Sequence, residues 1–418
     1  MSPANAINQA VDHLFRHEAG KMTAVLTKLM GIQHLATAED IVQDTLLQAM
    51  QTWSFGTMPE NPPAWLYRVA KNKAIDHLRR ERKFREISPQ YAYLLQSEYT
   101  LSPTVTNLFL ENEIQDSQLR MMFACCHPSI PGDSQVALVL KTLCGLSVAE
   151  IARAYLVGED TIAKRIYRAK EKLQTENIEL EVPVGNELPN RLDAVLKSLY
   201  LLFNEGYNSS HPDMLIRDEL CEEALRLSYW LSEHPLTCLS VTNALLALMC
   251  FQSSRLKARM DDQGHIILLK YQDRSLWSRE LINRGYYYID RATDESQPTP
   301  FHLEAAIASL HAAAASFERT DWRSVHDLYE VLYRMQPSPV VALNKTIASA
   351  YAISPEFALN ELKMINGLEN YYLYYATAGE LFLETGLKEE AREHFQKAAT
   401  LTQSQSEKQF LLDRLGLC

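Results

Sequence analysis

The 418 residues include seven cysteines, but no CxxC pair and no even framework of regular spacing. That excludes a zinc ribbon and a disulfide scaffold and leaves the cysteines as reduced thiols. Long apolar runs are missing too. The longest, such as Val241 to Phe251, fall well short of the roughly 20 residues that a membrane helix requires. The N-terminus lacks a basic-then-apolar signal pattern. Together these absences predict a cytoplasmic protein without membrane contact. Glycine is sparse, at 14, and β-branched alternation is almost absent, so fibrous and sheet-rich classes fall away. No G-x-S-x-G, H-E-x-x-H, P-loop or dinucleotide fingerprint occurs. The expectation is a protein that is not an enzyme, with no catalytic residues, no cofactor and no metal.

What is present is helical periodicity along almost the whole chain, which predicts an all-α protein. With 47% hydrophobic and 22% charged residues the chain has the composition to bury sizeable cores, and its length suits two or three domains. Clusters of Pro, Gly, Ser and polar residues at 55–63, 87–102 and 181–189 punctuate it, the second and third as domain boundaries. The expected organisation is 1–86, a linker over 87–112, 113–176 and 186–418. The net charge of −11 is unevenly spread: residues 1–175 carry about +1 and residues 176–418 about −12. Contact with phosphate must therefore come from the first half.

In that half, Ala38 to Trp53 reads AEDIVQDTLLQAMQTW. Ile41, Thr45, Leu46 and Ala49 fall on one helical face, and Glu39, Asp40, Gln43 and Asp44 on another. Periodicity alone favours a solvated acidic face there over a partner site. The next helix, AWLYRVAKNKAIDHLRRERKFR from Ala64 to Arg85, starts after Pro62-Pro63 and carries a local excess of about six positive charges. Trp65, Tyr67, Asn72 and His77 are interleaved with the cations, as flat groups that stack on unpaired bases would be. An ordinary basic helix with an aromatic core fits those residues equally well.

The sharpest local pattern is Leu146 to Gln174, LSVAEIARAYLVGEDTIAKRIYRAKEKLQ, which has the form of a helix-turn-helix. Ser147 and Glu150 make a capping box, and Leu156-Val157-Gly158 supplies the turn. In the second helix Ile162, Ile166, Ala169 and Leu173 face inward, leaving Thr161, Lys164, Arg165, Arg168 and Lys172 outward, as donors for base edges and phosphates. Cys125-Cys126-His127 tempts a metal reading, but adjacent cysteines do not readily chelate one ion together. A buried helix end before Pro128 is expected instead.

From Pro189 onward an internal period emerges. Gly379, Phe382, Gly386, Ala391, Phe395 and Ala398 stand at the spacings of a tetratricopeptide helix pair, and Val325, Tyr329, Leu332 and Pro337 at matching offsets. Ala348, Tyr351, Ala358, Leu362 and Ile365 form a looser third copy. Such a domain is an interaction or regulatory module. Asn204 to Tyr207 and Asp273 to Trp277 are polar clusters that read first as helix-end and packing residues, and second as pocket lining.

Taken in order, AEDIVQDTLLQAMQTW, PPAWLYRVAKNKAIDHLRRERK and TIAKRIYRAKEKL resemble regions two and four of the extracytoplasmic-function sigma factors of bacterial RNA polymerase. RMMFACCHPSI, LYLLFNEGY, LLALMCF and QDRSLWSRELI extend the likeness to the subgroup with a tetratricopeptide-like C-terminal domain. The resemblance implies that Asp40, Gln43, Asp44 and Leu47 dock on core RNA polymerase, at the clamp helices of the β′ subunit, with β as a further contact. It implies that Arg68, Lys71, Asn72, Lys73, Asp76, Arg79 and Arg80 melt and read the −10 promoter element. Thr161, Lys164, Arg165, Arg168 and Lys172 would then lie on the −35 element, and the 87–110 linker would thread toward the RNA exit path. The acidic third domain is expected to modulate activity, either on polymerase or by an intramolecular contact that masks the basic helix near Arg79. Two rivals remain open: a helix-turn-helix regulator whose repeats sense a ligand or protein, and an adaptor whose basic helices serve only folding.

Overall fold

A computed structural model describes residues 3–55, 58–80, 105–155, 157–176, 178–209, 216–261, 264–293, 297–402 and 404–418. The chain is all-α, as its periodicity predicts. Among the described residues there is no strand, only one isolated bridge between Met260 and Ile266. It divides into two compact units, Met1–Leu202 and Phe203–Cys418.

In the first unit, α1 (Pro3–Met30) is followed at Gly31 by a sharp turn with φ of 92°, which only glycine adopts without strain. A short 3₁₀ turn, Ile32–His34, then leads into α2 (Leu35–Phe55). After it, α3 (Pro62–Arg80) begins on two prolines, whose fixed φ suits a first turn. These helices share a core in which Leu26, Leu29, Leu66 and Ala70 are fully buried. Each buried leucine contributes about 1.5–3 kcal/mol over an exposed one. Val105 and Leu108, at the end of the expected linker, pack into the same core; residues 87–104 lie outside the described residues.

Four further helices follow among the described residues: α4 (Glu111–Cys125), α5 (Gly132–Thr142), α6 (Val148–Ala154) and α7 (Glu159–Thr175). The helix α4 packs on α1 and α7 on the 3₁₀ turn, while α5 and α6 pack against α7. Gly20 lies so close to the chain after α5 that an added Cβ would sit 2.0 Å from the Leu143 carbonyl oxygen. Lys28 Nζ donates to Glu113 and Asp116 of α4, both at 2.8 Å, and Arg16 pairs with Glu150 at 3.3 Å. Burial alone would raise the Asp116 carboxyl, but hydrogen bonds from Arg120 and Lys28 outweigh it and hold the pKa below its ordinary value. The division between the units falls within α8 (Leu188–Tyr207). On the first unit's side of it, Arg191 donates twice to the Phe123 carbonyl in the last turn of α4.

In the second unit, α9 (Asp218–Glu233) and α11 (Arg279–Arg291) flank α10 (Ser240–Ser254), which is buried almost all round, as its apolar sequence requires. Gly285 allows α11 to approach the Phe251 ring of α10, where a Cβ would stand 2.6 Å from a ring carbon. Then follow α12 (Pro300–Ala313), α13 (Trp322–Met335), α14 (Pro339–Ala352), α15 (Pro355–Leu362), α16 (Tyr372–Glu384), α17 (Lys388–Leu401) and α18 (Gln405–Leu415). Serines at 338 and 354 cap α14 and α15, each with proline at the first helical position. Gly379 of α16 meets the Phe395 ring of α17 in the same glycine-on-aromatic manner, and Gly386 turns the chain between them at φ of 80°.

Candidate nucleic-acid interface

α2 presents two faces, and the split follows the pattern read from the sequence with one exception. Ile41, Thr45 and Ala49 are buried, while Asp40, Gln43, Asp44 and Leu47 are exposed on the opposite side. The exception is Glu39, expected on the free acidic face. It turns toward α7, where its carboxylate accepts a hydrogen bond from Lys170 Nζ. Periodicity could not show this, because the partner lies 131 positions along the chain. Leu47 is 54% exposed, and Met50, which the sequence reading did not select, is 53% exposed one turn further on. Two large apolar side chains in water beside carboxylates make a mixed surface suited to a protein partner.

On α3, Arg68, Asn72 and Asp76 recur at four-residue spacing along an exposed stripe. Lys71 and Lys73 flank it, half-buried, and Lys71 Nζ donates to Thr106 Oγ1 at 3.2 Å. Arg79 and Arg80 lie in the last turn of the helix; their side chains, and Arg82 to Arg85, fall outside the described residues. Of the two readings that the sequence leaves open for Trp65 and Tyr67, flat groups for unpaired bases or an aromatic core, their packing favours the second. Trp65 packs against Trp53, ring centroids 5.4 Å apart, and Tyr67 stands 5.4 Å from Phe109 while its hydroxyl donates to Glu18. Burial would raise the Glu18 carboxyl, yet hydrogen bonds from His17 and Tyr67 and the charge of Lys21 overcome it and lower the pKa. Large aromatics bury too much apolar surface to stay in water when a core lies one helical turn away. Asn72 keeps its exposed amide.

The helix-turn-helix is built as its sequence dictates. Ser147 Oγ accepts from the Glu150 backbone N–H at 3.1 Å, and the Glu150 carboxylate accepts from the Ser147 N–H at 2.6 Å, closing the capping box at α6. Gly158 is the N-cap of α7 with an ordinary extended φ of −70°, so this turn does not depend on glycine's freedom. Leu156 lies outside the described residues. On α7, Ile162, Ile166, Ala169 and Leu173 are buried, and Thr161, Lys164, Arg168 and Lys172 are exposed. Tyr167, unselected in the sequence, is 69% exposed and joins Asp160, Ala163, Lys164 and Arg168 in a shallow concave patch. Its signal was present: it falls on the outward arc between Lys164 and Arg168.

Arg165 is half-buried, paired with Asp133 at 3.1 Å and lying 5.7 Å over the Tyr155 ring. Lys172 pairs with Glu176 at 2.8 Å. The exposed Lys172 pair contributes at most about 1 kcal/mol, so phosphate competes for that cation at little cost. Cys125 and Cys126 close α4 as a buried helix end, where burial pushes the Cys125 thiol up to about 12. The His127 ring bonds Ser129 at 2.8 Å.

Three protein families match the chain: Sigma-70 region 2 over residues 14–84, Sigma-70 region 4 over 120–173, and a family of unknown function, DUF6596, over 191–293. Among curated proteins, the chain is 36% identical over 399 residues to "Uncharacterized protein R00370" of Rhizobium meliloti, covering 93% of this chain and 92% of that one. It is 28% identical over 167 residues to the ECF RNA polymerase sigma factor SigE of Mycolicibacterium smegmatis, covering 39% and 60%. Over 165 residues it is 24% identical to the ECF RNA polymerase sigma factor SigW of Bacillus subtilis, covering 37% and 82%. No solved structure matches. Among the described residues, no helix is long and apolar enough to cross a membrane.

Proposed function

We propose, for a chain that belongs to the extracytoplasmic-function sigma factors and shares nearly its whole length with the Rhizobium meliloti protein R00370, that it binds bacterial core RNA polymerase in the cytoplasm and directs promoter-specific initiation. The observation that carries this reading is the outward face of α2. Asp40, Gln43 and Asp44 are exposed beside exposed Leu47, which joins no hydrophobic core among the described residues. A polymerase subunit that offers cations around an apolar groove would cover both. The charge distribution of the other two helices agrees. The Arg68–Asn72–Asp76 stripe suits capture of unpaired bases at the −10 element, with Lys71, Lys73, Arg79 and Arg80 on phosphate. Thr161, Lys164, Arg165, Arg168 and Lys172 suit the duplex at the −35 element.

The second unit is, in this reading, a tetratricopeptide-like regulatory module that acts on the first unit or on polymerase. The glycine-on-aromatic contact of α16 with α17 supports it, as small residues let paired helices approach. Deletion of residues 190–418 is expected to change promoter-dependent activity or polymerase affinity, and unchanged values for both would refute a regulatory role.

The decisive experiment is co-elution of the purified chain with core RNA polymerase on a sizing column. Wild type is expected to co-elute, and Asp44→Arg to lose binding by tenfold or more. A helix-turn-helix regulator uses the same exposed face of α7. It predicts duplex binding that does not depend on core polymerase, which a gel shift with and without core separates.

A further inference from the structure

The second unit has a partly open cavity of about 540 Å³, within the range of small-molecule sites. Tyr207, Arg255 and Arg259 line it together with Trp322, Tyr351 and Leu373. The aromatic lining is ordered by its own contacts: Trp322 lies 4.6 Å from Tyr351, and Phe317 lies 4.9 Å from each.

The charged groups of the cavity are unequally satisfied. Its carboxylates have partners: Glu380 holds Arg414, Glu384 holds Lys270 at 3.0 Å, and Glu407 accepts from the hydroxyls of Tyr372 and Thr402. Its arginines do not. Among the described residues Arg255 donates to the Gln252 side chain one turn earlier, at 3.2 and 3.3 Å, and Arg259 donates to the Tyr207 carbonyl that ends α8. Their guanidinium carbons lie 5.5 and 3.8 Å from the Tyr207 ring centre. Among the described residues neither forms an ion pair with a carboxylate. The Tyr207 hydroxyl is buried and has no hydrogen-bond partner among the described residues.

An end cap explains one hydrogen bond of Arg259 and nothing of Arg255. Burial, with the charge of Arg255 added, lowers the Arg259 pKa, but a guanidinium keeps its proton. Two close cations that both stay charged repel each other, and in a region whose net charge is about −12 carboxylates were available to pair them. The arginine fork matches the geometry of an oxyanion, and the aromatic and apolar groups lining the same cavity suit the body of a small molecule.

We propose that this cavity binds a small amphiphilic anion, its oxyanion head on Arg255 and Arg259 and its aromatic or aliphatic body against Trp322, Tyr351 and Leu373. The site is distinct from the faces of α2, α3 and α7, and its test needs neither polymerase nor DNA. Failure here leaves the reading of the first unit untouched.

The full-length chain is titrated with 1-anilinonaphthalene-8-sulfonate by fluorescence and calorimetry, then competed with 2-naphthoate, 2-naphthyl phosphate and uncharged 2-naphthalenemethanol. One saturable site per chain is expected, with the alcohol at least tenfold weaker as a competitor than the better of the two anions. Whichever anion competes better identifies the head as carboxylate or phosphate. The double variant Arg255→Gln/Arg259→Gln should bind at least tenfold more weakly. Thr377→Trp, which fills the cavity and keeps both charges, should do the same. No saturable binding, equal competition by the alcohol, or an unchanged affinity in a folded arginine variant overturns the proposal. If the arginine variant does not fold, unchanged affinity in Thr377→Trp overturns it instead.

Discussion

Lys164 and Arg168 of the first unit stand on the open face of a helix, whereas Arg255 and Arg259 of the second line a hollow. Both pairs lack carboxylate partners among the described residues, but the surroundings give that lack different meanings. On an open helix face, water solvates the cation at almost no penalty, and a long polymer of phosphates can slide in beside it. In a cavity the cations are partly stripped of water, and only a small anion can restore what they lost. Unpaired charge thus points to a partner whose size is set by the shape around it.

The widest separation between the units is expected from packing. Gly20→Val would drive a branched side chain into the Leu143 carbonyl, which the backbone cannot yield without moving α1 from α5. A loss of about 3 kcal/mol in the first unit is expected, read as a fall in its thermal transition, with binding of the naphthalene probe by the second unit unchanged. Equal loss in both would show that the units do not unfold independently.

Acid should divide the units next. His311 of the second unit is held down to about 3, first by burial and then by Arg255 and Arg274. Its folded pKa lies below the unfolded value of 6.5, so the unfolded chain binds the proton more readily. The stability it contributes is complete above that value and is lost as pH falls from 6.5 toward 3, at up to about 1.4 kcal/mol per pH unit. His311→Asn should flatten that slope. In the first unit, Glu18 and Asp116 have lowered pKa values, so their contribution is lost only as pH falls below about 4. Denaturant midpoints at pH 7, 5.5 and 4 check both.

Smaller effects are expected on α7. Lys164→Ala and Arg168→Ala should each lower the salt dependence of promoter binding in the holoenzyme by about one counterion, whereas an unchanged slope would remove that side chain from the phosphate path. Smallest of all, Lys172→Ala removes an exposed ion pair with Glu176 and should cost no more than about 0.5 kcal/mol by denaturant titration.

Where period and capping decide, residues could be read in advance. Ile162, Ile166, Ala169 and Leu173 are buried because the 3.6-residue repeat leaves them no other face, and Ser147 caps α6 because its hydroxyl meets a free N–H. The exposed stripe of Arg68, Asn72 and Asp76 follows the same rule. Trp65 and Tyr67 did not follow, because their destination depends on Trp53, Phe109 and Glu18 from other elements. Glu39 was misplaced for the same reason, its partner Lys170 being remote in sequence. The cluster from Asn204 to Tyr207 read first as a helix end and second as pocket lining; it is both, since Tyr207 ends α8 and lines the cavity.

Sequence by itself determined the all-α class, the helix-turn-helix, the acidic and basic helix faces, and the split in charge between the two halves. Each depends on residues within a few turns of one another, where helical spacing and capping act locally. Only the tertiary structure decided which carboxylate of α2 is engaged by α7, which aromatics enter the core, and that Arg255 and Arg259 line one hollow with Trp322 and Tyr351. Those outcomes depend on distances between residues tens of positions or more apart, and packing of whole helices, not local periodicity, sets them.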